Sequence, residues 1–285
     1  MPILILGGQG NLGTQLNEAL RADYEVVSWD REELDVLDFS LLSRKIRDLK
    51  PFLIINAVAY NAVDKCEDQA EYALALKLNG DLPGVLADLS LELGAVLIHY
   101  STDYVFNGTE DKQDFRENET PNPLNKYGVS KAQGEREIEK RAPAGLKYYL
   151  IRTSKLFGPR GASPQAKASF FDIILNLAQD KKELTVVNEE LSCFTYTPDL
   201  AAATKRLWEL EVPSGIYHLI NEGPCTWYEA AQELFRIKKR EIVIRKIRGE
   251  DLQRPARRPK YSVLLNTKVK KLRPGKLALQ EYLRD

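Results

Sequence analysis

The sequence predicts an α/β protein with a doubly wound parallel sheet and a smaller C-terminal domain. Three observations predict this class. Short runs that are apolar throughout alternate with helix-like segments over the first 155 residues, as in strands that are buried on both faces of a parallel sheet. A glycine-rich stretch separates the first such run from the first helix. Beyond residue 155 the alternation is less regular, which indicates a second and smaller unit.

The elements of the first part follow in chain order. The run ILIL stops at glycines and predicts the first strand, and each later apolar run is again followed by a helix-like segment. The predicted strands are 3–6, 25–28, 52–55, 95–100 and 148–152, and the predicted helices are 11–21, 41–48, 69–93 and 127–141.

The second part predicts three helices, of which the middle one has proline in its first turn, where proline is favoured. The sheet domain is expected to comprise residues 1–157 plus 184–221. Residues 158–183 plus 222–285 are then expected to form a substrate domain over the carboxyl ends of the strands. The predicted helices of this part are 169–179, 198–210 and 227–237, and the strands are 184–187 and 215–220.

The composition excludes several classes of protein. Among 285 residues, 44% are apolar and 29% are charged, which is typical of a globular protein. No apolar run approaches the ~20 residues of a membrane helix, and the N-terminus lacks the cationic head of a signal peptide. We therefore expect a cytoplasmic protein with no membrane partner.

Cysteine and histidine are scarce. Three widely spaced cysteines allow neither a disulfide framework nor a CxxC metal site. His99 and His218 lie in apolar, strand-like runs, where a core or pocket-wall histidine is expected. The sequence therefore predicts chemistry without a histidine base, a cysteine nucleophile or a metal.

Three glycines directly follow the first predicted strand. Gly7, Gly10 and Gly13 have the spacing G-x-x-G-x-x-G and open the first helix, at whose N-terminus Asn11 and Leu12 lie. Such a turn lets a pyrophosphate approach the backbone N–H groups and the positive end of the helix dipole. The pattern predicts a Rossmann-type site for a dinucleotide cofactor.

The end of the second strand carries a residue for the cofactor ribose. Asp30 lies 17 residues after Gly13, where a carboxylate can accept hydrogen bonds from the adenosine ribose hydroxyls. Arg31 could equally bind a 2′-phosphate. The sequence therefore predicts NADPH or NADH and leaves the choice open.

A catalytic group is predicted between the fourth and fifth regular strands. Tyr127 and Lys131 form a Y-x-x-x-K pair on one face of a helix. Reduction of a ketone needs a proton donor. A tyrosine with a normal pKa near ~10 needs a nearby cation if it is to lose and regain its proton near neutral pH. Thr102 ends a strand at the sheet edge where ligands bind and can contact the same carbonyl oxygen.

The chain resembles the dTDP-4-dehydrorhamnose reductase family of the extended short-chain dehydrogenases/reductases. The resemblance runs from residue 3 to about residue 266. The segments that carry it are GGQGNLGTQL, IINAVAYNAVDKCE, HYSTDYVFNG, PLNKYGVSKAQGE, IRTSKLFGPRG, YTPDLA, GIYHLINEGPCTWYEAA and PARRP.

The resemblance implies residue roles and a reaction. The reaction is NAD(P)H-dependent reduction of the 4-keto group of a nucleotide-linked 6-deoxy sugar, with dTDP-L-rhamnose as the product. Thr102, Tyr127 and Lys131 are the implied catalytic triad, and Asn79 is implied near a proton-relay water. The implied cofactor contacts after the third strand are Asn56, Ala57 and Ala59, and the candidate substrate contacts are Asp103, Tyr104, Lys155, Arg257 and Arg258.

Several positions depart from the family pattern. Lys155 stands where the family usually has tryptophan, and the segment 188–195 lacks the usual glycine and proline. All of these departures lie on the side of the expected site that binds the sugar, and none lies on the side where the hydride is transferred. A reductase of another nucleotide-linked 4-keto-6-deoxyhexose therefore stays open, as does a non-catalytic subunit like that of methionine adenosyltransferase. A homodimer is the candidate assembly, and no metal constellation is predicted.

Charge is unevenly distributed along the chain. Residues 1–150 carry 16 Lys+Arg and 25 Asp+Glu, whereas residues 151–285 carry 25 and 16. The basic second part lacks any motif for nucleic-acid recognition, so no nucleic-acid partner is predicted. Its positive field suits an anionic nucleotide-sugar.

Overall fold

The computed structural model describes residues 1–284. It comprises a six-stranded sheet flanked by helices and a smaller part with short strands. The strands are β1 (Ile3–Leu6), β2 (Val26–Trp29), β3 (Leu53–Asn56), β4 (Val96–Thr102), β5 (Asp114–Phe115), β6 (Tyr148–Thr153), β7 (Leu156–Phe157), β8 (Glu183–Val187), β9 (Thr195–Tyr196), β10 (Gly215–His218), β11 (Val243–Ile247) and β12 (Val263–Leu264). The α-helices are α1 (Asn11–Leu20), α2 (Phe39–Leu49), α3 (Gln69–Ala75), α4 (Leu82–Leu93), α5 (Lys126–Glu139), α6 (Phe170–Asp180), α7 (Thr197–Glu209), α8 (Trp227–Lys238) and α9 (Gly275–Tyr282).

The central sheet is parallel throughout, with the order β10-β6-β4-β3-β1-β2. Leu6 of β1 lies opposite Trp29 of β2 on one side and Asn56 of β3 on the other. The chain leaves β1 toward β2 and later returns to β3 on the opposite side. This reversal creates a switch point at the carboxyl end of β1, where open α/β sheets bind ligands. The predicted Rossmann-type sheet is confirmed.

Both faces of the sheet are buried. Ile5 packs in a cluster with Leu16 of α1, whereas its neighbour Leu4 packs in a second cluster with Leu86 of α4. Successive side chains of a strand point to opposite faces, so an apolar run such as ILIL needs helices on both sides. The same runs that predicted the strands therefore also fix the layered architecture.

The smaller part has its own apolar cluster. Val186 of β8 packs with Phe171 of α6, Leu234 of α8 and Leu279 of α9. β8 pairs in parallel with β11 in a separate two-stranded sheet, whereas the predicted division placed 184–187 in the sheet domain. The strand itself was visible in the sequence, but its partner lies about 60 residues further along the chain and was not. The rest of the domain division stays a prediction.

The segment predicted as one helix over 69–93 is interrupted. Between α3 and α4 the chain forms a π-helical segment, Leu76–Asp81. This wider turn contains the buried Asn79, whose side chain accepts from Tyr60 N at 2.9 Å and donates to Tyr60 O at 2.9 Å and to Ser130 Oγ at 3.0 Å. Asn79 thereby links the loop after β3 to helix α5.

Candidate active site

The glycine turn is closed by backbone contacts that leave no room for larger residues. Gly7 has a φ of 78°, and its carbonyl accepts from Gly10 N at 3.1 Å. A Cβ on Gly13 would lie 2.0 Å from Gly7 O, so only glycine fits there. The turn leads directly into α1, whose first residue is Asn11. The backbone N–H groups at this helix end suit a pyrophosphate.

The two residues at the start of α1 have different side-chain environments. Leu12 is buried in the core beside the sheet, so only its backbone can face a ligand. Asn11 donates through Nδ2 to Lys167 O at 2.8 Å and accepts at Oδ1 from Gly161 N at 2.9 Å. The segment around residues 161–167 therefore lies over the glycine turn, which the sequence had not indicated.

Asp30 lies beside the same turn. Its carboxylate accepts from Gln9 N at 3.0 Å and from Arg31 N at 2.9 Å, whereas the Arg31 side chain is exposed. β1 and β2 are neighbours, which brings this carboxylate to the rim of the turn. The position suits contacts to a ribose, and the exposed guanidinium nearby can reach a phosphate.

The loop after β3 forms the other side of the turn. Ala57 N donates to Leu6 O at 3.0 Å, and a Cβ on Gly7 would lie 3.2 Å from Ala57 C. Asn56 accepts from Val58 N and contacts His99 Nδ1, both at 3.1 Å. Ala59 is exposed. The predicted contacts thus lie at the end of β3 (Asn56) and on the loop after it (Ala57 and Ala59), which packs against the glycine turn.

The structure brings Thr102, Tyr127 and Lys131 together at the carboxyl edge of the sheet. Thr102 ends β4, and Tyr127 and Lys131 lie one turn apart on α5. A hydrogen bond joins the side chains of Tyr127 and Thr102. Helix α5 can pack so close because a Cβ on Gly128 would lie 2.2 Å from Tyr104 O. The sequence predicted all three residues, and the fold brings the threonine against the tyrosine.

Protonation at this site is set mainly by burial. Burial raises the pKa of Tyr127 above its normal value, although the hydrogen bond with Thr102 opposes this. Burial also lowers the pKa of Lys131 to about 8. The Lys131 Nζ donates to Tyr100 O at 2.6 Å and lies 3.4 Å from His99 Nε2. Tyr127 therefore carries its proton at neutral pH, next to a lysine whose charge is easily changed.

Asp103 lies directly behind Thr102 and is buried. Its Oδ1 accepts from Thr102 Oγ1 at 3.1 Å, and its Oδ2 accepts from Ser262 Oγ at 2.6 Å. Burial raises the pKa of Asp103 to about 6. Both carboxylate oxygens are thus engaged by protein hydroxyls. Ser262 had no signal in the sequence because it lies 159 residues away.

Tyr104 extends this group toward the exposed side of the site. Its ring packs edge-on against Tyr127, with 6.1 Å between the ring centroids, and burial raises the pKa of its hydroxyl. The ring is partly exposed, so it can still contact a substrate beside Tyr127.

Lys155 sits in an aromatic cage on the other side of the site. Its backbone has a φ of 40°, which is rare for a residue with a side chain. Its Nζ donates to Glu190 O at 2.9 Å and lies 4.0 Å from the ring centroid of Trp227 and 4.9 Å from that of Phe194. Burial lowers the pKa of Lys155 to about 8. The sequence had not singled out Trp227, whose ring lies against the Lys155 ammonium.

The predicted arginines differ in their surroundings. Arg258 forms a two-pronged ion pair with Asp64, with N···O distances of 2.5 and 2.6 Å, and this pairing lowers the pKa of Asp64. Arg254 pairs with Glu190, whereas the Arg257 side chain is exposed. A cavity of about 290 Å³ lies between residues 189–190 and 248–260 and includes Arg258. A phosphate entering this cavity would compete with the carboxylates of Asp64 and Glu190 for the guanidinium groups of Arg258 and Arg254.

Other sites are not evident in the part of the chain that is described. Among residues 1–284, no cluster of His, Cys, Asp and Glu side chains could hold a metal. Within the same residues, no helix combines the length and apolar character needed to cross a membrane. His99 and His218 are both buried, as predicted. His99 nevertheless contacts Lys131, so it forms part of the pocket wall.

The fold and the site define an oxidoreductase of the extended short-chain dehydrogenase/reductase class, with a glycine turn and a Tyr-Lys-Thr group. The family model described as "RmlD substrate binding domain" matches residues 1–284. The chain belongs to this family, that of the dTDP-4-dehydrorhamnose reductases.

Similar proteins agree with this assignment. The spore coat polysaccharide biosynthesis protein SpsK of Bacillus subtilis is 34% identical over 99% of this chain and 97% of its own length. The dTDP-4-dehydrorhamnose reductase of Streptomyces griseus is 34% identical over 92% of this chain and 84% of its own. A solved dTDP-4-dehydrorhamnose reductase of Bacillus anthracis, in complex with NADP, superposes with a TM-score of 0.90. It is 29% identical, and the match covers 99% of this chain and 98% of that one.

Proposed function

We propose that this protein reduces the 4-keto group of a nucleotide-linked 6-deoxy sugar, with dTDP-4-dehydro-L-rhamnose as substrate and dTDP-L-rhamnose as product. The observation that carries the proposal is the hydrogen bond between Tyr127 and Thr102, with Lys131 one turn further along the same helix. Ketone reduction needs this proton donor and this orienting hydroxyl at one point. The glycine turn at the neighbouring strand end supports a cofactor position beside them.

The residues around the turn fit a dinucleotide. The turn formed by Gly7, Gly10 and Gly13 is packed too closely on itself for a Cβ at Gly13, and it leads onto the N-terminus of α1. The backbone of Asn11 and Leu12 would hold the pyrophosphate. The NADP complex of the Bacillus anthracis relative supports this assignment. NADPH or NADH supplies the hydride to the carbonyl carbon when bound.

Two neighbouring residues bear on the choice of cofactor. Asp30 would accept from the adenosine ribose hydroxyls, which favours NADH, because a carboxylate repels a 2′-phosphate. The exposed Arg31 would bind that phosphate and favours NADPH. Asn56, Ala57 and Ala59 would line the cofactor on the opposite side, and Asn79 would hold that loop through its contacts with Tyr60.

The protein groups divide the proton chemistry between them. Tyr127 donates its hydroxyl proton to the carbonyl oxygen as the carbon receives the hydride, so a ketone becomes a hydroxyl. The resulting phenolate is stabilised by the charge of Lys131, which would also bind the nicotinamide ribose. Thr102 donates a hydrogen bond that orients the carbonyl oxygen, and Tyr104 contacts the sugar beside it.

The sugar and nucleotide would lie toward the smaller part of the molecule. Lys155, with Trp227 behind it, would face the sugar, while Arg257 and Arg258 would contact the diphosphate through guanidinium groups that match phosphate oxygens. The exposed Arg257 can contact the diphosphate directly, whereas Arg258 must first break its ion pair with Asp64. The cavity of about 290 Å³ beside Arg258 supports this location.

A second candidate is reduction of a different nucleotide-linked 4-keto-6-deoxyhexose. Lys155 favours it, because an ammonium in place of an indole changes what the pocket can bind. The two candidates share the chemistry of Tyr127 and differ only in the sugar.

The test uses purified protein, NADPH or NADH, and a panel of nucleotide-linked 4-keto sugars, with loss of nicotinamide absorbance as the signal. We expect turnover with dTDP-4-dehydro-L-rhamnose. Faster turnover with another sugar would select the second candidate. No turnover with any sugar would refute the reductase proposal in favour of a non-catalytic role.

A further inference from the structure

Two departures from the family pattern meet in the structure. Lys155 stands where tryptophan is usual, and Glu190 belongs to the segment 188–195, which lacks the usual glycine and proline. The Lys155 Nζ donates to the backbone carbonyl of Glu190 at 2.9 Å. It also lies 4.9 Å from the ring centroid of Phe194, in the same segment. The two departures therefore form one structural unit.

Glu190 also holds the aromatic ring behind the Lys155 ammonium. Only 7% of the Glu190 side chain is exposed. Its Oε2 accepts from Trp227 Nε1 at 2.8 Å, and its Oε1 accepts from Arg254 Nη2. The Lys155 Nζ lies 4.0 Å from the centroid of the Trp227 ring, within the range of a cation–π interaction. Glu190 thus contacts Lys155 through its backbone and holds, through its carboxylate, the ring against which that ammonium rests.

The carboxylate of Glu190 matches its two side-chain partners because both are donors. An indole N–H and a guanidinium can only donate hydrogen bonds, and an ionised carboxylate can only accept them. The ion pair with Arg254 also compensates the charge of a carboxylate that has left water. Glu190 is therefore fixed on one side by Arg254 and fixes Trp227 on the other.

The Lys155 ammonium lies close to the candidate catalytic group. Burial lowers the pKa of Lys155 to about 8, whereas the charges of Asp103 and Glu190 oppose this shift. Asp103 Oδ1 in turn lies 3.1 Å from Thr102 Oγ1. An ammonium has three N–H donors, and the bond to Glu190 O uses one of them. The other two can serve a hydroxyl of the sugar.

We propose that Glu190 is a positioning residue for the sugar and that it acts through Lys155. Its carboxylate fixes the Trp227 ring and its backbone carbonyl fixes the Lys155 Nζ, so the remaining N–H groups of the ammonium are aimed at the sugar. This inference rests on the proposed function and extends it to a residue that does not itself contact the substrate. The two departures from the family pattern then serve one purpose, recognition of the sugar as distinct from the nucleotide.

Glu190→Gln tests the proposal at nearly constant shape. A glutamine offers one acceptor oxygen to two donors, and the charged guanidinium of Arg254 makes the stronger bond, so the contact with Trp227 is lost. We expect the dissociation constant for dTDP-L-rhamnose, measured by titration calorimetry, to rise at least about tenfold, the effect of one hydrogen bond to a charged group. The affinity for dTDP, which lacks the sugar, should not fall, because the carboxylate that competes for Arg254 has lost its charge.

Kinetics separate this role from a merely structural one. A lost sugar contact raises KM for the nucleotide sugar and leaves kcat unchanged, whereas a disturbed fold would lower kcat and weaken dTDP and NADPH together with the sugar. Glu233→Gln is the matched control, because it removes the acidic partner of Arg236 from the helix that carries Trp227. It should alter none of these constants. Equal losses of affinity for dTDP and dTDP-L-rhamnose in Glu190→Gln would contradict the proposed role.

A double-variant cycle tests whether Glu190 acts through Lys155. Lys155→Met removes the ammonium and keeps an unbranched stem, so we expect it to weaken dTDP-L-rhamnose at least as much as Glu190→Gln does. Adding Glu190→Gln to Lys155→Met should then cost little further affinity. Losses that add in full would overturn the inference.

Trp227→Phe provides a second route to the same contact, because it removes the indole donor and leaves Glu190 in place. It should show the same selective loss for dTDP-L-rhamnose over dTDP. Unchanged binding of dTDP-L-rhamnose in both Trp227→Phe and Glu190→Gln would overturn the inference and leave the proposed function intact. A wild type whose variants show the selective loss, but which reduces no sugar, would instead overturn the proposed function.

Discussion

The Tyr127 hydroxyl can serve as a proton donor because its environment keeps it protonated. Burial raises its pKa, and the same environment lowers the pKa of Lys131 to about 8. Both shifts arise because a protein interior disfavours the charged form of each group. In the proposed reaction, the phenolate left on Tyr127 would be stabilised by the ammonium of Lys131, one helical turn away.

Replacing Tyr127 by phenylalanine removes the proton donor and leaves the ring. We expect Tyr127→Phe to lower kcat by roughly 10²–10⁴-fold, the usual contribution of a positioned acid, with little change in NADPH affinity. Steady-state kinetics and cofactor fluorescence measure the two quantities. Tyr24→Phe, at a tyrosine that hydrogen bonds Glu209, is the matched control. A Tyr127→Phe protein with most of its rate would show that another group donates the proton.

At the level of elements, the glycine turn and the first helix form one unit. Gly10 N donates to Gly7 O, and Gly10 directly precedes α1. The loop after β3 packs against the turn and is held by Asn79 from the π-helical segment. The glycine turn is thereby supported by its own backbone hydrogen bond on one side and by this loop on the other. A larger side chain at one of these glycines would therefore force the turn to move.

Gly13→Ala tests this directly. Its Cβ would lie 2.0 Å from Gly7 O, so the turn must shift, at a cost of about 1–3 kcal/mol. We expect NADPH binding to weaken by at least tenfold and the midpoint of thermal unfolding to fall. Gly275→Ala is the matched control, because its Cβ would find its nearest neighbour at 3.5 Å. Equal cofactor affinity in both variants would contradict the assigned role of the turn.

At the level of the whole molecule, a buried ion pair joins the sheet to helix α5. Arg152 of β6 and Glu135 of α5 are both almost fully buried and lie 2.7 Å apart. The guanidinium also packs over the Phe106 ring at 5.0 Å. Since each charge has left water, each depends on the other. The pair therefore fixes α5, and with it Tyr127 and Lys131, against the sheet.

Glu135→Gln leaves Arg152 as an unpaired buried charge. We expect the free energy of unfolding to fall by about 3–5 kcal/mol, measured by urea denaturation. The control is Glu92→Gln, which breaks the exposed pair with Arg47 and should cost about 0–1 kcal/mol. If the two variants were equally stable, the pair would not hold the helix.

Local patterns in the sequence were sufficient to predict the parallel sheet, the glycine turn and the Tyr127–Lys131 pair. Apolar runs decide burial on both faces, and residues four apart on a helix always share a face. Long-range pairings could not be predicted in this way. The partner of β8, the widened turn at Asn79, and the meeting of Ser262, Trp227 and Glu190 with the site depend on residues far apart in the chain.

The sequence by itself therefore determined the class of fold, the glycine turn and the spacing of Tyr127 and Lys131, because each is encoded within a few neighbouring residues. Only the tertiary structure decided what surrounds them. It placed Asp103 between Thr102 and Ser262, paired Arg258 with Asp64, and put Lys155 against Trp227. The physical reason is that burial and hydrogen-bond partners, which set charge and direction in the site, are supplied by segments brought together only on folding.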